Sequence, residues 1–424
     1  MDFRSPPNHE METKADGQSV DDPASQRIAS LDALRGFDMF WIIGAVGGEA
    51  IIEKIWKHMQ ASKLDTTWYG RTVGAAAYQL THPAWNGFRA YDLIFPLFLF
   101  IAGAAMPFSL GRRIEQGEAK SKLALRVVRR GLLLVLFGLI YNGLFSVGFT
   151  HELRWGSVLG RIGLAYMFGG LIYLVTDVRG QIAAVILLLV GYWAAMLYIP
   201  VPGIGAGVLE DGKNLADYID HRFLPGTPYL HDRVVGNFAI LDHDPEGLLS
   251  TIPAIGTALL GALAGAWLRS GRRNGTVKSA GLMVAGLMAL TLGWAWAGFQ
   301  INPPETSPLS PANAWHIVMP INKNLWTSSF VLWTAGWSLI LLALFYQVVD
   351  VWHLRRWAFF FTVIGANSIT IYMAKRFIDF DKIGSFLCSP GPKTIHPMLT
   401  PLVGLVLAWG CLYVMYRNRW FLRL

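Results

Sequence analysis

Ten apolar runs dominate this sequence, at 33–53, 92–110, 131–149, 158–175, 181–199, 248–268, 280–299, 327–350, 358–379 and 398–416. Each offers the roughly 20 residues that a helix needs to cross the hydrocarbon core of a bilayer. A helix is also the one open-ended element that satisfies its own backbone in lipid. The fold class read from this is all-α: a polytopic membrane protein with about ten transmembrane helices. Composition agrees, because only 15% of the 424 residues are charged and 53% are apolar, against about 25% charged in a soluble protein. A soluble globular domain, a disordered chain and a nucleic-acid binder are excluded. Residues 1–27 are polar and lack an apolar h-region, so they read as a disordered cytoplasmic tail ahead of one transmembrane domain at 28–424.

The net charge of +8 follows from topology and needs no nucleic-acid partner. Connections at 111–130, 176–180, 269–279 and 351–357, with the tail 417–424, carry 17 Lys or Arg in 51 residues. The opposite loops at 54–91, 200–247, 300–326 and 380–397 carry 11 in 131. That positive-inside bias makes both termini cytoplasmic and turns the long loops outward. His9 and His353 then fall inside, whereas His58, His82, His151, His221, His231, His243, His316 and His396 lie in or beside outward loops. Eight histidines on one face point to chemistry or proton handling there without naming the residue. Cys388 and Cys411 define neither a disulfide framework nor a metal site.

The segment THPAWNGFRAYDLIFPLFLFIAG at 81–103 is the most informative stretch. His82, Trp85 and Asn86 precede the second span, and Asp92 enters it. A carboxylate at a span entrance is costly unless capped or paired, which makes Asp92 a functional candidate. Capping of its helix and an interfacial aromatic belt are the competing readings of Asp92 and Trp85. Asp244 and Glu246 read either as caps of the sixth span or as carboxylates for an ammonium or sugar hydroxyls. Asn322 and Lys323 stand beside Trp326, an arrangement suited to a sugar or to interfacial anchoring. Arg35, with Asp32 and Asp38 three residues to either side, reads as a buried salt bridge or a cation for phosphates. Arg126 and Arg130 compete for the latter role. Asn367, Ser368 and Tyr372 read as interhelical hydrogen-bonding groups.

HPAWNGFRAYDLIFPLFLFIAG resembles the hallmark segment of the heparan-alpha-glucosaminide N-acetyltransferase family, including its bacterial relatives, within the transmembrane acyltransferase superfamily. Further similar segments run in the same order as in the family: SLDALRGFDMF at 30–40, VLGRIGLAY at 158–166, DPEGLLSTIPAIGTALLGALAG at 244–265, PINKNLWTSSFVLWTAG at 320–336 and NSITIYM at 367–373. The resemblance implies an enzyme that draws acetyl-CoA from the cytosol as co-substrate and acetylates an amino sugar across the membrane. It implies a catalytic role for His82, since the histidine of the matching segment is the catalytic one. The sequence departs from eukaryotic members in three places. Gly44-Ala45-Val46-Gly47-Gly48 stands where they carry an asparagine, and Lys375-Arg376 where they carry a histidine and a glutamate. Their N-terminal lumenal region has no counterpart here, so specificity for a heparan chain end does not carry over.

Together these readings give a transmembrane N-acetyltransferase of the bacterial inner membrane, with His82 and Asp92 catalytic. The expected acceptor is a small amino sugar such as glucosamine, held by Trp85, Asn86, Asp244, Glu246, Asn322 and Lys323. Arg35, Arg126 and Arg130 are the candidates for CoA phosphates. No metal is required, since no ligand cluster stands out, and a homodimer is left open. His82 serves either as base or as acetyl carrier. O-acylation of an envelope glycan and amino-sugar transport are the alternatives. The topology predicts that cysteines introduced at 200–247 react with an impermeant thiol reagent from outside, while those at 111–125 do not. The reverse pattern would place His82 in the cytoplasm and defeat a reaction across the membrane.

Overall fold

The computed structural model describes residues 28–43, 47–231, 234–235, 238–239, 241–271, 273–303, 318–388 and 399–422. The expected tail 1–27, the Gly44-Ala45-Val46 stretch, His9, His316 and His396 lie outside the described residues. Helices α1 (Ala29–Trp41), α2 (Gly48–Ala61) and α3 (Trp68–Gln79) lead to a long helix. That helix opens with a 3-10 turn (Ala90–Leu93), continues as α4 (Ile94–Ala104) and passes through a π turn (Pro107–Gly111) into α5 (Arg112–Glu115). Next come α6 (Lys120–Tyr141), α7 (Leu144–Val147), α8 (Val158–Val175), α9 (Val178–Tyr198) and α10 (Leu215–Phe223). A two-residue antiparallel pair, β1 (Val234–Val235) with β2 (Phe238–Ala239), sets Val234 opposite Ala239. The chain then forms α11 (Thr251–Arg269), α12 (Gly275–Trp296) and α13 (Ser328–Phe345) with its π extension Tyr346–Val351. Helices α14 (Ala358–Ala366), α15 (Ser368–Phe377), α16 (Phe380–Cys388) and α17 (Leu399–Arg417) complete it.

Among the described residues seven helices are long and apolar enough to cross a membrane, or eight if α14 and α15 form one span. The all-helical, membrane-spanning class is as expected, but three of the ten runs behave differently. The first is split, because α1 has only 13 residues, about 20 Å of helix, and α2 starts anew at Gly48. The third begins far upstream, at Lys120, so that α6 carries Arg126, Arg129 and Arg130 within its body. The ninth bends by 70° at Asn367, between α14 and α15. At that bend neither amide atom of Asn367 has a partner among the described residues, so it makes no interhelical hydrogen bond. Pro107 lacks an N–H to continue the ladder, and the helix widens there into its π turn.

Start signals are local. Ser157, Asp177, Asn274 and Thr327 each accept a hydrogen bond from a backbone N–H in the first turn of α8, α9, α12 and α13. Asp32, by contrast, does not cap α1, which begins at Ala29 behind an uncapped Ile28.

Packing rests on backbone proximity, since lipid gives helices no hydrophobic reason to associate. Helices α4 and α11 approach so closely that a Cβ at Gly103 would lie 2.0 Å from the Ala258 carbonyl oxygen. One at Gly261 would lie 2.0 Å from that of Phe100. Helices α1 and α14 touch in the same way, Gly36 against the Phe361 carbonyl and Gly365 against that of Asp32. Around α4 the core is continuous: Leu97, Phe100 and Ile101 pack with Leu34 and Leu342, while Leu99 packs with Ile162, Ala258 and Phe330. Gly261→Val should therefore destabilise the detergent-solubilised protein by roughly 1–3 kcal/mol or more, seen as a lower thermal midpoint. Gly191→Val on α9, where an added Cβ meets nothing within 4 Å, should leave the midpoint unchanged.

Candidate active site

The first turn of the α4 helix builds the site. Asp92 has no exposed surface, and its Oδ2 accepts the backbone N–H of Arg89 at 3.0 Å. Asp92 does cap its helix, then, but only with one oxygen. Oδ1 faces His82 Nδ1 at 2.6 Å and Lys323 Nζ at 3.4 Å. A carboxylate accepts and cannot donate, so Nδ1 carries a proton, and in the neutral ring Nε2 presents the lone pair. Lys323 Nζ lies 3.3 Å from that Nε2. Burial pushes the Lys323 ammonium down from its ordinary range, and Asp92 and Glu246 offset part of that. The His82 side chain keeps 48% of its surface, enough to meet a ligand. Its backbone carbonyl is fixed by the Arg89 guanidinium at 2.9 Å.

Lys323 reaches this position on a clamped turn. Asn322 is fully buried; its Oδ1 accepts the N–H of Leu325 at 2.9 Å, and its Nδ2 donates to the Trp85 carbonyl and to Asn86 Oδ1, both at 3.1 Å. Trp326 closes the turn with φ of 49°, a left-handed conformation unusual for a bulky side chain. It is held there by Phe95, by Thr257 and by Arg161, which stacks 5.0 Å from its ring. Gly87, at φ of 130°, donates its N–H to Ile321 at 2.7 Å and brings the two segments together. A Cβ there would sit 2.5 Å from Asn302 Oδ1, which explains glycine in this position.

Two adjoining cavities of about 220 Å³ and 300 Å³ share His82, Glu246, Lys323 and Tyr372 as wall residues. The structure thus gathers four of the sequence-derived residues, His82, Asp92, Glu246 and Lys323. It distributes the others differently. Trp85 donates to the Leu209 carbonyl at 2.9 Å and packs on His243, and Asn86 and Asn322 bond each other; none of the three lines either cavity. Asp244 and Glu246 are not caps of α11, which starts at Thr251. Both bind Arg154, whose Nε and Nη2 donate to Asp244 at 2.8 and 2.7 Å and whose Nη2 also reaches Glu246. Burial acts against the Arg154 charge, but the two carboxylates outweigh it and raise its pKa. Arg154 lines the larger cavity and went unnoticed in sequence, where an isolated basic residue in a short loop carries no signal.

Tyr91, Tyr141, Tyr372 and Lys375 also line these cavities. Tyr91 donates to Glu49 at 2.5 Å, Tyr372 stacks on Tyr141 at 4.9 Å, and Lys375 donates to the Ile42 carbonyl at 3.0 Å. Tyr372 is thus a wall residue and also, through its hydrogen bond and stacking with Tyr141 of α6, the interhelical group expected from sequence. The cations expected for CoA lie elsewhere. Arg126 pairs with Glu118 at 2.7 Å, and Arg130 lies 4.6 Å from the Tyr166 ring. They are 15 and 11 residues before Tyr141 on α6, about 22 and 16 Å from the site along the axis. Arg35 bonds Asp32 at 3.4 Å. At that end Arg269, Lys278 and Arg355 line a cavity of about 410 Å³.

Tyr229, Pro245 and Glu246 of the connection between α9 and α11 border the site. Leu230 and His243 exchange backbone hydrogen bonds at 2.9 Å. The His243 ring meets Asp217 Oδ1 at 2.6 Å, and Asp217 Oδ2 accepts from Gly212 N at 2.7 Å. Among the described residues Asp211, Asp217 and His243 bring donor atoms within 4.8 Å of one another, but Asp217 is already taken up by this knot. Asp220 on α10 accepts from Leu248 N at 2.7 Å and is otherwise unpartnered among the described residues. Burial pushes its pKa up to about 7. Its folded value lies above the unfolded one, so its burial costs nothing below about pH 4. The cost grows as pH rises toward 7 and stays constant beyond, reaching at most about 4 kcal/mol. Asp220→Asn should raise the thermal midpoint at pH 8, with the gain fading toward pH 4; a pH-independent gain would reject the burial effect.

These features define a class: a polytopic helical membrane protein whose helix ends enclose a polar chamber walled by a histidine, a lysine and a carboxylate. Comparison narrows it. Residues 27–156 match a family described as Domain of unknown function (DUF5009). Over 345 residues the chain is 28% identical to heparan-alpha-glucosaminide N-acetyltransferase of Homo sapiens, covering 71% of this chain and 49% of that protein. Over 410 residues it is 27% identical to the Mus musculus protein of the same name, covering 87% and 57%. The resemblance drawn from the motifs is borne out by this similarity. The chain spans about half the length of the curated relatives it matches.

Proposed function

We propose that this protein is a transmembrane acetyltransferase of the inner membrane, moving acetyl from cytosolic acetyl-CoA to the amine of a small extracytoplasmic amino sugar of glucosamine type. The observation that carries the reading is the contact of 2.6 Å between His82 and the wholly buried Asp92, on the wall of a chamber. Asp92 fixes the tautomer, and Nε2 takes the proton that the amine nitrogen sheds as it attacks the thioester carbonyl. The carbon–nitrogen bond forms, the carbon–sulfur bond breaks, and CoA leaves as a thiolate. Glu246, beside Arg154, supplies a carboxylate for the ammonium or hydroxyls of the acceptor, and the Tyr372 and Tyr141 rings offer an aromatic wall. Arg126 and Arg130, with Arg35, supply positive charge for the donor's phosphates at the basic ends of the same helices.

Release of CoA from acetyl-CoA, followed with glucosamine, a β-linked glucosamine oligomer and N-acetylglucosamine, tests this directly. Glucosamine should be the preferred acceptor. His82→Ala and His82→Asn should lower turnover by roughly 10²–10⁴-fold while the protein stays folded in detergent, and Asp92→Asn should follow with a smaller loss. Equal rates with the already acetylated sugar would make a hydroxyl the acceptor. Labelled amino sugar crossing proteoliposomes unchanged, without CoA release, would make the protein a transporter.

A further inference from the structure

Arg161, in the first turn of α8, is only 2% exposed. Its Nη2 donates to Ser250 Oγ and, at 3.5 Å, to the Gly247 carbonyl. Among the described residues its Nε and Nη1 have no partner. A cation buried in this way is costly, and an apolar side chain of similar length would cost less to bury. What Arg161 touches gives it a use. Its guanidinium lies 5.0 Å from the ring of Trp326, the residue that closes the Lys323 turn by donating its N–H to the Lys323 carbonyl at 3.1 Å. Trp326 is left-handed there, at φ of 49°, a conformation that persists only where its surroundings enforce it. Gly247 follows Glu246 directly. Arg161 thus braces against each other the two segments that bring Lys323 and Glu246 to the chamber, and its neighbours Leu159 and Ile162 line the same wall.

We propose that Arg161 is a positioning residue: by bracing the Trp326 ring against Ser250 and Gly247, it sets the Lys323 ammonium beside His82, where that ammonium stabilises the transition state. The chemistry rests on the acetyl-transfer reading above. Lys323 Nζ lies 3.4 Å from His82 Nδ1 and 3.3 Å from Nε2. Only a position beside the ring satisfies both distances, so Nζ leaves the in-plane lone pair of Nε2 open to the acceptor. As the amine nitrogen attacks the thioester carbon, its proton passes to Nε2 and the carbonyl oxygen gains negative charge. That oxygen forms within a few ångströms of Nε2, and a Lys323 N–H can donate to it. The electron pair then returns to reform the carbonyl as sulfur departs with its bonding pair. Lys323 is the catalytic group in this step, and Arg161 acts through it.

The test uses the full-length protein in detergent, with Arg161→Met, Ser250→Ala, Lys323→Gln and the double variant of Arg161→Met with Lys323→Gln. Arg161→Met should lower kcat for acetyl transfer to glucosamine by roughly 10–100-fold, the scale of a misplacement of about 1 Å at a reacting centre. Its KM values should stay within about twofold of the parent's, and its thermal midpoint should be no lower. Lys323→Gln should lose at least as much rate. The double variant should match Lys323→Gln to within about twofold, because residues acting through one another are not additive. Ser250→Ala, which removes an anchor of Arg161, should show a smaller loss of the same kind, and it carries the test if Arg161→Met does not fold. A second readout is independent of activity: trace acetylation of Lys323 by acetic anhydride, measured by mass spectrometry against the exposed Lys382. Arg161→Met or Ser250→Ala should shift that ratio severalfold. Losses that multiply in the double variant would overturn the proposal, as would a lower midpoint with unchanged kcat in the folded fraction. A parent that releases no CoA with any acceptor would defeat the transfer reading alone; the Lys323 labelling then decides, and a ratio unchanged in both variants would overturn the positioning role.

Discussion

Helices in lipid gain nothing by hiding apolar side chains from one another, so this bundle depends on how closely its backbones can approach. The contact of α4 with α11 is the central case. Gly103, Gly261 and Gly265 each bring a bare Cα against a carbonyl of the facing helix or its neighbouring turn, leaving no room for a methyl group. Because α4 is pinned there, the 3-10 turn at its start is pinned too, and with it Asp92. The α1–α14 contact through Gly36 and Gly365 works in the same way on the other side of α4, and it sets where Met39 and Ile42 meet the chamber.

With the helix ends fixed, the buried charges arrange one another. Asp92 is compensated by His82, by Lys323 and by a backbone N–H; Arg154 is compensated by Asp244 and Glu246. Arg161, wholly inside, reaches Ser250 and stacks on Trp326, so that three separate segments close on one point. Such groups are costly to bury singly and acceptable as a connected set. That is why the chamber is built from several distant stretches of chain rather than from one. The compensation is incomplete in places: among the described residues Asp38, Asn367 and two nitrogens of Arg161 find no hydrogen-bond partner.

Much of this architecture was legible in the amino-acid order. Hydropathy over twenty residues reports membrane helices because lipid imposes length and apolarity on every one of them. His82 and Asp92 could be singled out because both lie in one short segment at a span entrance, where a carboxylate needs a reason to be. What remained hidden had a common cause. Arg154, Tyr91 and Lys375 acquire meaning only through partners distant in sequence, and Trp85 and Asn86 looked like sugar ligands until their bonds to Leu209 and Asn322 accounted for them. The breaks in the first and ninth runs were invisible to hydropathy, which averages over the bend at Asn367.

The sequence by itself determined that the chain is helical and embedded in a membrane, and that short basic connections alternate with long loops poor in Lys and Arg. Those properties follow from local composition and need no contact between distant residues. Only the tertiary structure decided that Lys323 contacts both His82 and Asp92, that Asp244 and Glu246 hold an arginine rather than cap a helix, and that Arg35 pairs with Asp32 rather than with Asp38. Each of these is a choice of partner across a helix interface. It is settled by which backbones can approach closely enough, and no stretch of sequence carries that information alone.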